Sequence, residues 1–457
     1  MKKILGVSGL MLTTVLVAVP GTAHAAKKPA RAYDFNGDGR RDVLVVSANG
    51  FAKGQLAQGV LGVLYGGTGK KQAYGADEPG LLSLPDGVWQ VKEAVSADFD
   101  RDGYADVAVA GGSTYPVRTL SVVLVYGSKK GLSRRTAVLP MPSLPAQGSA
   151  YKTLLAAGDF DGDGRPDLVA APTESFQLGW RVTLFRAVGK GRSAPIAVPV
   201  SAAGSASRLA SGDFTGDGRT DLAVTTILDD NVPGRVLLLK GTATGLGPAR
   251  QLDDSSTWYD AAAGDVTGDG RADLVVGTTI GKAGLVRIYP GTSAGLGRPV
   301  SFSKRTKGVP GTTEPNLGDR FGSSIALGDL NGDGRADLAI GDPSYGAFGR
   351  GSVTVLYGAK KGYTTRGARM ITEDSKGVPT ASHSNENFGA DVTILDVTGT
   401  RAADLVVGAP GESRIFVFRT VKGKVATPVR SYTAGNLGIA GKSPTGYDGL
   451  DFGYFGR

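Results

Sequence analysis

The stretch Asp329-Leu330-Asn331-Gly332-Asp333-Gly334-Arg335-Ala336-Asp337 follows D-x-[DNT]-x-D-G-x-x-D, and the same nine-residue pattern begins at Asp34, Asp98, Asp159, Asp213 and Asp265. A worn seventh copy starts at Asp396, with Thr400 in place of the acid at position 5 and Arg401 in place of the glycine at position 6. Successive starts lie 64, 61, 54, 52, 64 and 67 residues apart. Self-similarity at a near-constant period marks an array of one supersecondary unit. That gives seven copies of about 62 residues, rather than the roughly three separate domains that length alone suggests.

Outward from that loop the chain reads as short strands. FGSSIALGD (321–329) precedes it, and DLAIG from Asp337, GSVTVLYG from Gly351 and RGARMITED from Arg366 follow. Each run is rich in Val, Ile, Leu or Tyr and bounded by Gly, Asp or Pro, as strands are. In the other copies position 9 precedes Val43-Leu44-Val45-Val46, Val107-Ala108-Val109, Leu168-Val169, Leu222-Ala223-Val224, Leu274-Val275-Val276 and Leu405-Val406-Val407. Such runs predict strands buried on both faces. No long helical periodicity interrupts them, and 71 glycines with 7% aromatic residues suit tight turns and short strands. Four antiparallel strands repeated seven times predict an all-β, seven-bladed β-propeller with the loops between strands of the blades. A β-sandwich is the alternative, and it offers no reason for a sevenfold period.

Phe321-Gly322 followed by Gly341-Asp342-Pro343, and Phe388-Gly389 followed by Gly408-Ala409-Pro410, resemble the FG-GAP repeats of the integrin α-subunit propeller. The segment GVPGTTEPNLGDRFG, Gly308 to Gly322, is similar to the connection leading into such repeats. The resemblance covers nearly all of 30–457, although the early copies retain mainly the aspartate loop. It implies a propeller that binds a protein or glycan at a rim or between blades. The tail SYTAGNLGIAGKSPTGYDGLDFGYFGR repeats the connection and the Phe-Gly entry but stops before any loop, while the loop at Asp34 has little chain before it. The segment around Phe452-Gly453 is therefore expected beside the N-terminus in the first blade, closing the ring. A truncated eighth repeat is the alternative.

In each loop the side chains at positions 1, 3, 5 and 9 and the carbonyl at position 7 offer oxygen only, the donor set of calcium. The expected ligands are Asp34, Asn36, Asp38, Arg40 carbonyl and Asp42; Asp98, Asp100, Asp102, Tyr104 carbonyl and Asp106; Asp159, Asp161, Asp163, Arg165 carbonyl and Asp167. The sets continue with Asp213, Thr215, Asp217, Arg219 carbonyl and Asp221; Asp265, Thr267, Asp269, Arg271 carbonyl and Asp273; Asp329, Asn331, Asp333, Arg335 carbonyl and Asp337. Position 12 is apolar, Val45 in the first copy and Ile340 in the sixth, where an EF-hand needs a bidentate Glu, so an EF-hand is excluded. About six structural calcium ions are expected, with none at Asp396. With a dissociation constant of about 0.1 mM and calcium near 1 mM, each adds roughly 1.4 kcal/mol, and six total on the order of 8 kcal/mol.

Residues 1–25 read as a secretory signal: Lys2 and Lys3, an apolar run from Ile4 to about Val19, and Ala23-His24-Ala25 as the cleavage site. Residues 26–457 would then form the propeller, a secreted extracellular monomer. The chain has no cysteine, which leaves metal as the staple available to an extracellular protein. The mature chain carries 49 Lys and Arg against 42 acids, a formal +7, and six calcium ions would take it to about +19. That field favours polyanionic partners, acidic glycans among them. Basic residues never run beyond adjacent pairs and no aromatic interleaving marks a nucleic-acid platform.

Trp89 and Trp258 precede loops where other copies have Phe321 and Phe388, and so read as blade core; Trp180 opens a third strand. The mature chain has one histidine, His383, and no nucleophile-elbow string, so Ser-His-Asp catalysis has little to work with. Glu174, Glu314 and Glu412 lie in connections where carboxylate chemistry on a polysaccharide has room. The leading expectation is a calcium-binding adhesion or binding module for a protein or glycan. A polysaccharide lyase or hydrolase is the alternative, and a structural matrix component without a discrete ligand is the third.

Overall fold

Seven four-stranded antiparallel sheets follow one another along the chain. The computed structural model describes residues 29–47, 50–52, 55–57, 60–74, 93–112, 120–141, 153–173, 181–190, 193–200, 205–227, 234–280, 283–311, 320–400, 402–425, 430–437 and 454–455. Blade 2 runs Glu93–Ala97, Asp106–Gly112, Leu120–Val125 and Thr136–Pro140 in order from the inside outward, each strand pairing with the next. Blade 3 repeats this with Thr153–Gly158, Asp167–Pro172, Arg181–Phe185 and Pro195–Pro199. Blade 6 consists of Ser324–Gly328, Asp337–Asp342, Ser352–Ala359 and Gly362–Ile371, and blade 7 of Asp391–Leu395, Asp404–Ala409, Arg414–Phe418 and Arg430–Thr433.

Blades 4 and 5 share a strand. Blade 4 begins with Ser205–Gly212, Asp221–Ile227 and Gly234–Thr242; Gly245–Gly264 then serves as its outer strand and continues as the innermost strand of blade 5, ahead of Asp273–Ile280, Ala283–Tyr289 and Val300–Phe302. This is the pair of repeats with the shortest spacing, 52 residues. With no residues to spare for a connecting loop, the outer strand passes directly to the next blade. Blade 1 is built from both ends of the chain: Val43–Ser47, Val60–Leu64 and Lys71–Tyr74 are joined by Tyr454–Phe455 on the inner side, with Val45 opposite Phe455 and Val46 opposite Tyr454. The tail closes the first blade as the sequence suggests, a little beyond Phe452-Gly453, which lie outside the described residues.

The apolar runs after each loop are buried on both faces because each blade packs against two neighbours. In blade 6, Leu338 and Ile340 join a cluster with Val286 and Ile288 of blade 5, while Ala339 joins Val392 and Leu405 of blade 7. Another cluster combines Val406 and Val417 of blade 7 with Val43 and Leu61 of blade 1 and Val107 of blade 2, so the hydrophobic core is continuous across the closure. Phe321 and Phe388, from the two Phe-Gly pairs, are fully buried in such seams. The inner strands surround a central cavity of about 490 Å³, lined largely by small side chains such as Ala156, Ala210, Ala262 and Ala326.

The aspartate at position 9 begins or immediately precedes the second strand of every blade, and Asp42, Asp106, Asp167, Asp221, Asp273, Asp337 and Asp404 are all fully buried. Its carboxylate ties the loop to the outer half of the blade. In blade 6, Asp337 Oδ2 accepts the amides of Leu330 (2.9 Å) and Asn331 (3.0 Å), and Oδ1 accepts that of Gly358 (2.9 Å), near the end of the third strand. Blade 7 keeps the arrangement despite its worn loop: Asp404 accepts Val397 (3.0 Å), Thr398 (2.8 Å) and Thr420 (3.1 Å). Leaving buried amides without an acceptor costs about 1–3 kcal/mol each. Asp404→Ala is therefore expected to destabilise the fold by about 3 kcal/mol or more, with Asp404→Asn milder, in urea unfolding with chelator present. A calcium-dependent loss alone would assign Asp404 to ligation instead.

Candidate metal centres

All thirty predicted ligands fall in the loops that lead into the second strand of blades 1 to 6, where a tight turn needs left-handed backbone. Positions 4 and 6 supply it: in the sixth loop Gly332 has φ +77° and Gly334 +84°. These turns point loop amides inward. Position 1 collects them, with Asp329 Oδ1 accepting Gly332 (2.6 Å) and Asp333 (3.1 Å) and Oδ2 accepting Gly334 (2.9 Å). Position 5 accepts position 7, as in Asp333 with Arg335 (2.9 Å). The apolar residue at position 2, Phe35, Phe99, Phe160, Phe214, Val266, Leu330 or Val397, is buried and anchors the loop to the blade. The sequence carries that signal at all seven copies, and the aspartate pattern alone passes over it.

In loops 2 and 3 the acids at positions 1, 3 and 9 converge, so that oxygens of Asp98, Asp100 and Asp106, and of Asp159, Asp161 and Asp167, lie within 4.8 Å of one another. A hard cation fits such a donor set. Electrostatics points the same way. Burial, the largest influence, outweighs the backbone hydrogen bonds and pushes the position-9 carboxyls up: Asp42 and Asp337 to about 7, Asp106 to about 8 and Asp167 to about 6, with Asp221 and Asp273 raised as well. Guanidinium groups meet part of the charge. Arg135 pairs with Asp100 and Arg186 with Asp161, while in loops 4, 5 and 6 Arg219, Arg271 and Arg335 at position 7 lie 3.4, 3.2 and 3.7 Å from the acids at position 5. Position 7 was expected to contribute a carbonyl; its side chain adds a neutralising charge.

The loops also join neighbouring blades. The amide at position 8 donates to the position-1 carbonyl of the preceding blade: Ala105 to Asp34 (2.9 Å), Thr220 to Asp159 (2.8 Å), Ala272 to Asp213 (2.9 Å), Ala336 to Asp265 (2.7 Å) and Ala403 to Asp329 (3.4 Å). Arg41 to Asp396 (3.2 Å) completes the ring from blade 1 back to blade 7. Between blades 2 and 3 position 8 is Pro166, which has no amide to give. Within blade 2 the end of the third strand passes close to the loop: a Cβ on Gly127 would sit 2.2 Å from the Ala105 carbonyl oxygen, with the Phe35 carbonyl oxygen of blade 1 at 3.0 Å. Gly39, at φ +83°, has open space around its Cβ position. Gly127→Ala should therefore cost clearly more than Gly39→Ala, whose left-handed backbone alone costs about 1–2 kcal/mol; comparison of the two variants by chemical denaturation tests the order.

Among its described residues the loop at Asp396 repeats the arrangement of the others, with Asp396 Oδ1 accepting Gly399 (2.9 Å) and Thr400 (3.0 Å). Glu412 and His383 both lie at the junction of blades 6 and 7, where Glu373, Glu386 and Glu412 form a further gathering of carboxylates. Glu174, Glu314, Trp89 and Trp180 lie outside the described residues, as does the side chain of Trp258. Among the described residues no helix is long and apolar enough to cross a membrane.

Comparison with known proteins agrees with the architecture. The FG-GAP-like repeat profile matches residues 34–109, 159–224 and 213–276, and the FG-GAP repeat profile matches 321–356. Integrin alpha-PS2 of Drosophila melanogaster is 29% identical over 226 residues, 46% of this chain and 16% of that protein. Integrin alpha-IIb of Mus musculus is 34% identical over 181 residues, 37% of this chain and 16% of that protein. The chain thus spans about a sixth of the length of these relatives. Among solved structures, a protein from Lactobacillus plantarum aligns over 84% of this chain and 94% of its own, with 12% identity and a TM-score of 0.47.

Proposed function

We infer that this chain, which belongs to the FG-GAP repeat family with integrin α-like repeats, is a secreted, calcium-stabilised propeller that binds an extracellular protein or glycan. The observation that carries the reading is the ring of loops, in which potential metal ligands and the hydrogen bonds between blades occupy the same nine residues. Calcium at Asp34, Asp98, Asp159, Asp213, Asp265 and Asp329 and their partners would offset the buried carboxylate charge and stiffen the joints between blades. The basic charge of the mature chain favours an acidic ligand.

Strand direction supports one end of the ring as the ligand surface. Consecutive strands are antiparallel, so the aspartate loops and the turns between third and fourth strands share one end of the ring. The other end carries the turns between second and third strands and the connections from blade to blade. At that end, Phe348 in the turn Tyr345–Gly349 is 79% exposed and holds φ +57°, a costly conformation for a bulky residue that suits a binding contact better than packing.

Chelation is expected to lower stability by on the order of 8 kcal/mol if six sites are filled near 1 mM calcium. An unchanged Tm in chelator would remove calcium from this reading. A calcium-dependent screen against cell-wall polymers, acidic glycans and matrix proteins should give saturable binding without turnover, weakened about tenfold or more by Phe348→Ala. Product release on the same plate would make the chain an enzyme instead.

A further inference from the structure

At the junction of blades 6 and 7, three acids meet away from the aspartate loops. Glu373 follows the outer strand Gly362–Ile371, Glu386 lies in the connection to blade 7, and Glu412 closes the turn Pro410–Glu412 after that blade's second strand. Their carboxylate oxygens come within 4.8 Å of one another. Glu373 is 1% exposed, and its Oε1, like that of Glu412, is buried and accepts no hydrogen bond. The neighbours meet only part of the charge. Thr380 Oγ1 donates to Glu373 Oε2 (3.2 Å), the backbone amide of His383 donates to Glu386 with its Nδ1 2.9 Å from Oε1, and Arg414 Nε lies 3.1 Å from Glu412 Oε2. Burial, then Glu412 and Glu386, push the Glu373 carboxyl up to about 8.

The preceding junction shows what such a pocket requires. Ser303-Lys304-Arg305-Thr306 and Thr372-Glu373-Asp374-Ser375 form the same turn. Ser303 N donates to Thr306 Oγ1 and Thr372 N to Ser375 Oγ, both at 3.0 Å, and the Val309 and Val378 amides then return to the carbonyls of Thr306 and Ser375, again at 3.0 Å. In this register Lys304 corresponds to Glu373, and Asp342 of Gly-Asp-Pro corresponds to Ala409 of Gly-Ala-Pro. Lys304 and Asp342, with side chains 6% and 1% exposed, form a buried ion pair. The junction of blades 6 and 7 therefore has an acid where the junction of blades 5 and 6 has its internal cation, and two more acids close around it.

We propose that Glu373, Glu386 and Glu412 bind a divalent metal ion of the calcium class, which occupies the role that the Lys304 ammonium plays one junction earlier. When all three carboxylates are ionised, the single guanidinium of Arg414 leaves two negative charges, which one such ion balances. Oxygen-only donors favour calcium over softer metals. The site is independent of whether the aspartate loops are loaded.

Equilibrium dialysis of the full chain against calcium at pH 7.5 counts the ions, for the wild type, Glu373→Gln and Glu386→Gln. Each variant should bind one ion fewer, and crystals grown in calcium should show density about 2.3–2.6 Å from the glutamate oxygens. If Glu373→Gln fails to fold, Glu412→Gln, at a side chain 17% exposed, is expected to weaken the same single site at least tenfold. Equal ion counts in wild type and folded variants, or an ion-free cluster in such crystals, would overturn the proposal and identify the cluster as carboxyls sharing protons.

Discussion

The buried carboxylate at position 9 is the constraint on which the blades depend. It cannot be replaced by a hydrophobic residue, because it faces amides from the loop on one oxygen and an amide from the end of the third strand on the other. Asp221 and Asp273 repeat the pattern seen at Asp337, with Thr215 and Gly241, and Thr267 and Gly291, among the donors at 2.8–3.1 Å. These bonds fix where the second strand starts and hence the register of the sheet. They do not fully offset burial, since the carboxyls remain pushed up toward neutrality. The fold has thus placed acidic groups where a nearby positive charge stabilises it, and the arginines that approach loops 2 to 6 supply some of that charge.

A closed ring transmits this constraint from blade to blade. Every loop but that of blade 2 gives its first carbonyl to the amide of the next, so a loop that loosens also frees its neighbour's entry into the second strand. Blade 3 lacks this bond because of Pro166, and the same seam is held by other contacts: Tyr126 Oη donates to the Gly189 carbonyl at 3.3 Å, and Leu155 and Phe185 pack with Val122 and Leu124. At the closure, hydrogen bonding and hydrophobic packing coincide. Arg41 reaches Asp396 while Tyr454–Phe455 supplies the inner strand of blade 1.

Much of this was legible in the chain. Seven spaced loops gave the blade count, the apolar runs at Val43, Leu274 and Leu338 gave the doubly buried second strands, and the Phe-Gly tail pointed to the closure. The less legible parts have physical causes. An aspartate that accepts amides and one that ligates metal are the same letter at the same spacing, so the structural role of position 9 could not be separated from ligation. Arg135 and Arg186 meet Asp100 and Asp161 across 35 and 25 residues, a pairing set by the return of the third strand rather than by any local pattern. Glu373, Glu386 and Glu412 meet only because two blades abut. Their signal was present as the substitution of Glu373 for Lys304 in a repeated turn, and it becomes informative only once that turn is known to be buried.

The worn loop at Asp396 separates the structural role of these loops from their proposed ligand role. It lacks the acid at position 5 and the glycine at position 6, yet Asp396 still accepts its loop amides and gives its carbonyl to Arg41, and Asp404 keeps three amides. Positions 1, 2 and 9, with Gly399 at position 4 held at φ +72°, therefore build the turn and join the blades without an acid at position 5. Positions 3 and 5 add oxygen around a centre that the turn already encloses. On this argument the architecture requires an aspartate loop in every blade, but a full set of candidate ligand oxygens is an addition, present in six blades and incomplete in blade 7.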